Sequence, residues 1–218
     1  MSASNTKYLV ALIGICFSGD QTIRSLEWKA DDSGLVSAPL AVPKKGKAGF
    51  KRLLSPKTGI EFKNLLDNER SIRNRNLLSG SGVAAGDFDG DGWCDLYFCG
   101  LDNGNRLYRN LGGWKFEDIT ERTGVACVGQ DSTAAGFADV DGDGDLDLLV
   151  NALGRGTRLF RNDGGFKLVE ITKGSGLTST AGSMSMTLAD NTLTNKKNKR
   201  IELVSTFDII IFPVNYLN

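Results

Sequence analysis

One stretch of the sequence occurs twice at a fixed spacing. Its two copies are Asp87-Phe-Asp-Gly-Asp-Gly-Trp-Cys-Asp95 and Asp139-Val-Asp-Gly-Asp-Gly-Asp-Leu-Asp147, which start 52 residues apart. The same offset, without a gap, relates Arg106-Leu-Tyr-Arg-Asn110 to Arg158-Leu-Phe-Arg-Asn162. A fixed period of this size is typical of repeat proteins, in which one supersecondary unit packs against copies of itself. The sequence therefore predicts a repeat architecture.

Each repeat contains four short segments with the character of strands. In the first repeat these are the small residues before Asp87, an apolar run from Asp95, the alternating segment Arg106–Asn110, and the segment from Trp114 to Thr120 after a Gly-Gly turn. Four antiparallel strands with turns between them describe a β-propeller blade. A β-sandwich is the alternative, but sandwich strands do not normally repeat in sequence. The predicted fold class is all-β, with four-stranded antiparallel blades in a partial or truncated propeller.

The length of the chain limits the number of blades. Propellers usually close with four to eight blades, and a 52-residue unit fits barely four times into 218 residues. We therefore expect an open fan of blades, a truncated product or closure by another chain, with closure by divergent strands at both ends as the alternative. The predicted divisions are a signal peptide at 1–19, an exposed leader at 20–49, a partial blade at 50–80 with strands near Phe50–Leu54 and Thr58–Phe62, blades at 81–129 and 130–180, and a degenerate partial blade at 181–218.

The repeated loop has the residue types of a calcium site. Carboxylates occupy loop positions 1, 3, 5 and 9, and glycine occupies position 6. Ca²⁺ takes six to eight oxygen ligands at about 2.3–2.6 Å. An acidic surface turn is the alternative, because Asp-Gly pairs are common in hairpins, but four matched carboxylates repeated in register favour a metal. The predicted ligands are Asp87, Asp89, Asp91 and Asp95 in the first loop, and Asp139, Asp141, Asp143 and Asp147 in the second.

Two other classes of calcium-loop protein fit less well. An EF-hand needs a bidentate Glu at position 12 and flanking helices, whereas position 12 is Phe98 in one loop and Val150 in the other. The residues after each loop form an apolar run that predicts a buried strand. A dockerin-like module is disfavoured for the same reason, since its loops lead into helices. The sequence predicts a calcium loop between strands.

The distribution of charge and the absence of histidine exclude several functions. Residues 81–177 carry sixteen acidic and nine basic residues, an excess that bound Ca²⁺ would offset. Without histidine, the chain has no His-based catalytic triad and no ordinary zinc site. The basic cluster Lys44, Lys45 and Lys47 lacks interleaved aromatic residues, so we expect no nucleic-acid binding. Beyond Asp190, lysines and an arginine replace the carboxylates, which predicts no third metal site.

The N-terminus and the cysteines bear on localisation. Lys7 precedes an apolar run to Phe17 that fits a signal peptide and is too short for a good membrane span, although a buried strand or helix is the alternative. Cys94 and Cys99 lie on one predicted strand, about 16 Å apart, and cannot join each other. Cys99 and Cys127 are the most plausible disulfide pair, with free buried thiols as the alternative.

Residues 79–177 resemble the FG-GAP/VCBS repeats, the calcium-loop blades of integrin α-subunit propellers and of many secreted bacterial proteins. The resemblance rests on the two loops with the segments that precede them. Asn105–Asn110 and Phe116–Thr120 are similar to the subgroup found with ASPIC/UnbV domains, related to cartilage acidic protein. The resemblance to FG-GAP/VCBS repeats implies that the eight aspartates bind Ca²⁺ and that the backbone carbonyls of Trp93 and Asp145 complete the two sites. It also implies a secreted, periplasmic or cell-surface scaffold or adhesion role.

We therefore expect a non-enzymatic, calcium-binding repeat module that offers an interaction surface to a protein or glycan ligand, outside the cytoplasm. We also expect the module to associate with further blades or with another chain. After removal of the signal peptide, we expect no stable membrane span. The alternative is a hydrolase or lyase that uses the metal or a pair of carboxylates. The aspartates of the loops are better explained as metal ligands, and Asp102, Glu117, Asp118 and Asp131 have no evident partner in the sequence.

Overall fold

A computed structural model describes residues 29–30, 32, 36–37, 50–177, 180, 183–190, 199–205 and 209–214. The chain divides into two compact units, Met1–Arg52 and Leu53–Asn218. The described part of the first unit contains a two-stranded antiparallel pair, β1 (Lys29–Ala30) with β2 (Val36–Ser37). The second unit contains both sequence repeats and the remaining elements.

Each repeat folds into a four-stranded antiparallel sheet. The first sheet has the order β3-β4-β5-β6 and the second β7-β8-β9-β10, so each strand pairs with the next one along the chain. The strands are β3 (Val83–Gly86), β4 (Asp95–Phe98), β5 (Arg106–Asn110), β6 (Phe116–Asp118), β7 (Ser132–Ala138), β8 (Asp147–Ala152), β9 (Gly156–Asn162) and β10 (Leu168–Glu170). The predicted fold class is confirmed: the protein is all-β, with propeller-type blades in a partial propeller.

The first strands of successive sheets are neighbours. Strand β3 lies beside β7, and β7 lies beside β11 (Met186–Asp190). The backbone N–H of Gly82 donates to the carbonyl of Thr133 at 2.8 Å, directly before these strands. The approach is close, because a Cβ on Gly82 would lie 3.1 Å from that carbonyl oxygen and the neighbouring backbone would have to shift slightly. The small residues predicted for a crowded interior therefore lie where adjacent blades meet.

A third sheet follows the two complete blades. It contains β11, β12 (Lys199–Ser205) and β13 (Ile209–Val214) in that order, all antiparallel. All three strands lie within residues 181–218, the stretch predicted to be a degenerate partial blade. Residues 191–198, where the basic segment replaces the aspartates, lie outside the described residues.

The core lies between the sheets rather than within one of them. Strand β8 is buried along its whole length. Its Leu148 and Val150 belong to a cluster shared with the first blade, whereas Leu149 belongs to a second cluster that includes Met186 at the start of the third sheet. In β4 the burial instead alternates between full and partial. The second blade is therefore covered on both faces, which explains its continuous apolar run.

A buried polar network ties the first blade to the start of the second. The Tyr97 hydroxyl donates to the Val125 carbonyl oxygen at 2.7 Å and accepts from Asn105 Nδ2 at 2.6 Å. The same Nδ2 group lies 3.0 Å from Ser132 Oγ on β7. Asn105 Oδ1 also accepts from the Gly100 backbone N–H at 2.8 Å. These groups are buried, so each depends on the others for its hydrogen bonds.

The strands predicted at Phe50–Leu54 and Thr58–Phe62 are wrong. Residues 50–82 contain the one-turn helix α1 (Ser55–Thr58), helix α2 (Asn68–Arg73) and a 3₁₀ helix (Arg75–Ser79), and otherwise coil. Pro56 lies in the first turn of α1, where its missing N–H costs nothing, and Gly59 ends the helix with φ of 80°. Asp67 caps α2 by accepting from two backbone N–H groups. These capping residues outweighed the apolar pattern.

Arg70 of α2 anchors this segment to the first blade and to the connection after it. Its guanidinium pairs with the carboxylates of Asp102 and Asp131. In addition, Phe62 stacks on Phe98 of β4 with ring centroids 5.1 Å apart. The residues before the first repeat therefore pack against the first blade at β4 and at the connections that contain Asp102 and Asp131.

The cysteines of the core are thiols in this structure. Cys99 and Cys127 are both buried and lie in the cluster between the blades, without a disulfide between them. Burial raises the pKa of the Cys99 thiol to about 12 and also raises the pKa of Cys127. The predicted signal peptide at 1–19 and most of the predicted leader at 20–49 lie outside the described residues.

The buried network predicts a difference between two tyrosines. Tyr97→Phe should lower the free energy of unfolding by about 1–3 kcal/mol, because buried partners lose their hydrogen bonds. Tyr108→Phe removes a hydroxyl that accepts one longer bond, 3.3 Å from the N–H of exposed Glu61, and should cost under about 1 kcal/mol. Urea unfolding of both variants measures the difference. Equal losses would contradict the central role of the Tyr97 hydroxyl.

The burial of the thiols predicts their reactivity. In a variant with Cys16→Ser and Cys94→Ser, the thiols of Cys99 and Cys127 should not react with Ellman's reagent in the native state, because the thiolate is the reactive species and burial disfavours it. Both should react in urea. Rapid reaction of these thiols in the native state would contradict their burial. A failure to react in urea would indicate a disulfide between Cys99 and Cys127.

Candidate metal centres

Each acidic loop begins at the end of a blade's first strand and ends at the start of its second. The first loop, Asp87–Asp95, joins β3 to β4, and the second loop, Asp139–Asp147, joins β7 to β8. The strand pair Gly86 with Asp95 fixes the width of the first loop, and Ala138 with Asp147 fixes the second. The loops therefore occupy equivalent places in two blades.

The aspartate at position 9 is the structural centre of each loop. Asp95 is fully buried, and its two carboxylate oxygens accept from the N–H groups of Phe88 (3.0 Å) and Asn110 (2.7 Å). Asp147 repeats the arrangement with Val140 (2.8 Å) and Asn162 (2.8 Å). One carboxylate thereby joins the start of the loop, the second strand and the third strand.

The aspartate at position 1 holds the tip of the loop. Asp87 accepts from the N–H groups of Asp91 at 3.1 Å and Gly92 at 2.8 Å. Asp139 accepts from those of Gly142 at 2.7 Å and Gly144 at 3.2 Å. The position-6 glycines have φ of 88° and 98°, a left-handed conformation that glycine adopts without strain.

In each loop, the carboxylates of positions 1, 3 and 9 come together. Asp87, Asp89 and Asp95 each offer one oxygen, and these atoms lie within 4.8 Å of one another. Asp139, Asp141 and Asp147 form the same group in the second loop. The sequence brought these six residues into one hypothesis, and the structure places them in two matching clusters.

The predicted ligands at positions 5 and 7 lie outside these clusters of three. Asp91 and Asp143 each accept, through Oδ1, from the backbone N–H of the residue two positions later, at 2.9 Å. The residues at position 7, Trp93 and Asp145, are thereby tied to position 5 through their N–H groups. The involvement of Asp91 and Asp143, and of the Trp93 and Asp145 carbonyls, remains a prediction.

The electrostatics of the clusters favour a cation. Burial, partly offset by the backbone hydrogen bonds and reinforced by the charges of Asp89 and Asp91, raises the pKa of Asp95 to about 6. Burial likewise raises the pKa of Asp147 to about 6. Burial and the charge of Asp143 also raise the pKa of Asp141. A cation bound among these oxygens would favour the ionised carboxylates and so offset the repulsion between their negative charges.

The donor set fits a hard cation. Every side chain in the two clusters supplies carboxylate oxygen, and Ca²⁺ and Mg²⁺ prefer oxygen ligands. Ca²⁺ accepts irregular, oxygen-rich loops, whereas Mg²⁺ requires near-octahedral geometry and keeps several waters. The clusters can therefore hold a metal ion, with the aspartates as ligands.

Sequence reasoning missed an asparagine beside each loop and an arginine beside the first loop. Asn110 and Asn162 end the third strands, and their Nδ2 groups donate to the carbonyl before position 9, at 2.9 Å to Cys94 and 3.2 Å to Leu146. Arg109 precedes Asn110 and pairs with the first loop. The sequence did contain a signal for these residues, because both repeats have Arg-Asn at the end of the third strand. The alternation of apolar and polar residues along a strand would by itself allow many other residues there.

The two loops are joined across the blade interface. Asn162 Nδ2 also donates to the Phe88 carbonyl oxygen at 2.7 Å, and the N–H of Phe88 donates to Asp95. Because the N–H of Asn162 donates to Asp147, one hydrogen-bonded path connects the two buried carboxylates. The Phe88 side chain stacks on Phe137 and meets Phe166 edge-on, with centroids 6.4 and 5.9 Å apart. The first loop therefore forms part of the contact between blades.

Comparison with known families agrees with this geometry. The family model for the FG-GAP-like repeat matches residues 87–150, a range that begins at position 1 of the first loop and contains the whole of the second. No curated protein matched the chain. These residues are therefore similar to an FG-GAP-like repeat, which agrees with the four-stranded propeller-type blades of the fold.

The path between the loops predicts unequal effects of two asparagine substitutions. Asn162→Ala should lower the free energy of unfolding by about 1 kcal/mol more than Asn110→Ala, because only Asn162 supplies the additional bond to the Phe88 carbonyl across the interface. Urea unfolding in the presence of a chelator measures this difference without any metal contribution. Equal effects would show that the interblade hydrogen bond contributes little.

Proposed function

We propose that the protein is a non-enzymatic, calcium-binding repeat module that acts as a scaffold or interaction surface outside the cytoplasm. The observation that carries the proposal is the pair of matched carboxylate clusters, each with one fully buried aspartate, at the same place in two blades. The match to the FG-GAP-like repeat supports a propeller-type interaction module and an extracellular setting.

Calcium would act here as a structural ion. Bound at either cluster, it would supply positive charge to three carboxylates, of which the buried one at position 9 already joins two strands through backbone hydrogen bonds. Because the folded chain presents these oxygens together and the unfolded chain does not, the free energy of binding would add to the stability of the blade. The first loop contacts the second blade, so its stabilisation would extend to the interface.

The carboxylates outside the loops support a role without catalysis. Asp102 and Asp131 are both paired with Arg70. Asp118 accepts from the Thr120 hydroxyl and pairs with Arg106. Among the residues whose burial is described, the fully buried carboxylates are Asp95 and Asp147, and both belong to the loops. A hydrolase of the glycosidase type needs two carboxylates facing one cleft, one with a raised pKa.

The finer relationship, to calcium-binding VCBS repeats and to the ASPIC/UnbV-associated subgroup, is proposed on the residues of the two repeats alone. We further propose a protein or glycan as the ligand and a secreted, periplasmic or cell-surface location. The described residues contain no helix that is long and apolar enough to cross a membrane.

Calcium titration of the full chain tests the proposal. Calorimetry should show two sites, and calcium should raise the melting temperature while a chelator reverses the rise. At a free calcium concentration one hundred times Kd, each site should contribute about 2.7 kcal/mol, where each kcal/mol corresponds to about 2–4 °C in a domain of this size.

Matched variants make the test specific. Asp89→Asn combined with Asp141→Asn should abolish both the heat of binding and the thermal shift. Glu121→Gln makes the same change of charge per site at an exposed residue outside the loops and should leave both unchanged. If the wild-type protein binds no calcium and the chelator does not change its melting temperature, the calcium assignment is wrong. The enzyme hypothesis would then have to be reconsidered.

A further inference from the structure

Equivalent arginines of the two blades bind different partners. Arg109, near the end of β5, donates to Asp89 Oδ2 from Nε at 2.5 Å and to Asp91 Oδ2 from Nη2 at 2.8 Å. Arg161, at the same place on β9, instead donates from Nε to Asp163 Oδ1 at 2.7 Å. An arginine therefore pairs with positions 3 and 5 of the first loop, whereas its counterpart in the second blade pairs with Asp163.

The residue two places after each arginine explains the difference. In the second blade it is Asp163, which holds Arg161 and lies 3.6 Å from the Lys167 ammonium. In the first blade it is Leu111, an exposed apolar residue that offers no competing charge. Arg109 therefore has the loop aspartates as its available anionic partners nearby.

The second blade also helps to hold Arg109 at the first loop. The Arg109 guanidinium lies 5.0 Å from the centre of the Phe166 ring, and the Arg122 guanidinium lies 4.0 Å from the same ring. Cations over an aromatic face are attracted to the ring electrons. The side chain of Asp89 is only 9% exposed, so water screens its pairing with Arg109 weakly.

We propose that Arg109 is a resident counter-cation of the first loop that competes with calcium, and that the residue at 111 or 163 decides whether a loop carries such a competitor. The first loop would then bind calcium more weakly than the second. This inference rests on the proposed function. Calcium would draw on the Asp89 carboxylate, whose Oδ2 now accepts from Arg109, and the guanidinium charge opposes the entry of a second cation.

A comparison of the calcium affinities of the two wild-type loops does not isolate the effect of Arg109. The second loop has Asp145 at position 7, where the first has Trp93, so it also carries an additional carboxylate. The effect of Arg109 must therefore be measured within the first loop alone. Asp139→Asn with Asp141→Asn disables the second loop and provides that background in the full chain.

In this background, Arg109→Gln should tighten calcium binding to the first loop by roughly fivefold, the range expected for removing partly exposed ion pairs. Arg106→Gln is the matched control, because it removes the same charge from the same strand but its partner is Asp118, outside the loop. It should change Kd by less than about twofold. Calorimetric Kd values provide the readout, and circular dichroism confirms that each variant is folded.

A second variant tests the partner-switch directly. Leu111→Asp copies Asp163 into the first blade and should draw Arg109 away from the loop, which would also tighten binding by roughly fivefold. If it acts by moving Arg109, its effect should vanish when Arg109→Gln is already present. If it acts only as an added charge, the effect should persist. The reciprocal Asp163→Leu, with the first loop disabled by Asp87→Asn and Asp89→Asn, should weaken the second loop.

The outcomes separate the two proposals. Tighter binding in Arg109→Gln and Leu111→Asp, without additivity and without a comparable effect of Arg106→Gln, supports the competitor. Calcium binding with unchanged or weaker affinity in both variants would overturn it and leave the calcium proposal standing, since Arg109 would then only position the aspartates. Absence of calcium binding at both wild-type loops would defeat the proposed function itself.

Discussion

The buried aspartate at loop position 9 is the interaction on which each blade depends. Asp95 and Asp147 accept backbone N–H groups from the start of their loop and from the end of the third strand. A buried carboxylate is costly without such partners. The hydrogen bonds offset only part of that cost, because burial still raises the pKa of both groups to about 6. The fold thus keeps a site that gains from a cation.

Contacts between blades stabilise the structure alongside the hydrogen bonds within each sheet. Strand β8 divides its apolar residues between two neighbouring sheets, and Asn162 joins the second blade to the first loop at Phe88. A repeat that buries its faces only against its neighbours requires those neighbours for stability. Changes at a loop are therefore expected to affect the interface as well as the loop itself.

The sequence predicted the two blades well and the preceding segment poorly. The third strand of the first blade, Arg106–Asn110, has the predicted bounds, because the repeat identified equivalent segments and the Gly-Gly turns separated the strands. Residues 50–62 carry apolar residues at strand-like spacing but no repeat to calibrate them. There the local capping by Pro56 and Gly59 produced a helix turn instead. In this segment, which has no second copy for comparison, the local helix-capping residues determined the secondary structure.

By itself, the sequence determined the all-β class, the position of the loops and a set of eight candidate aspartates that includes the six that cluster. This was possible because the spacing of residues along a short loop fixes which side chains share its interior. Only the tertiary structure decided that Arg109 lies on its loop while Arg161 lies on Asp163. The two arginines are identical in the repeat, and their partners depend on which charges lie within reach across strands, a distance that the order of residues does not specify.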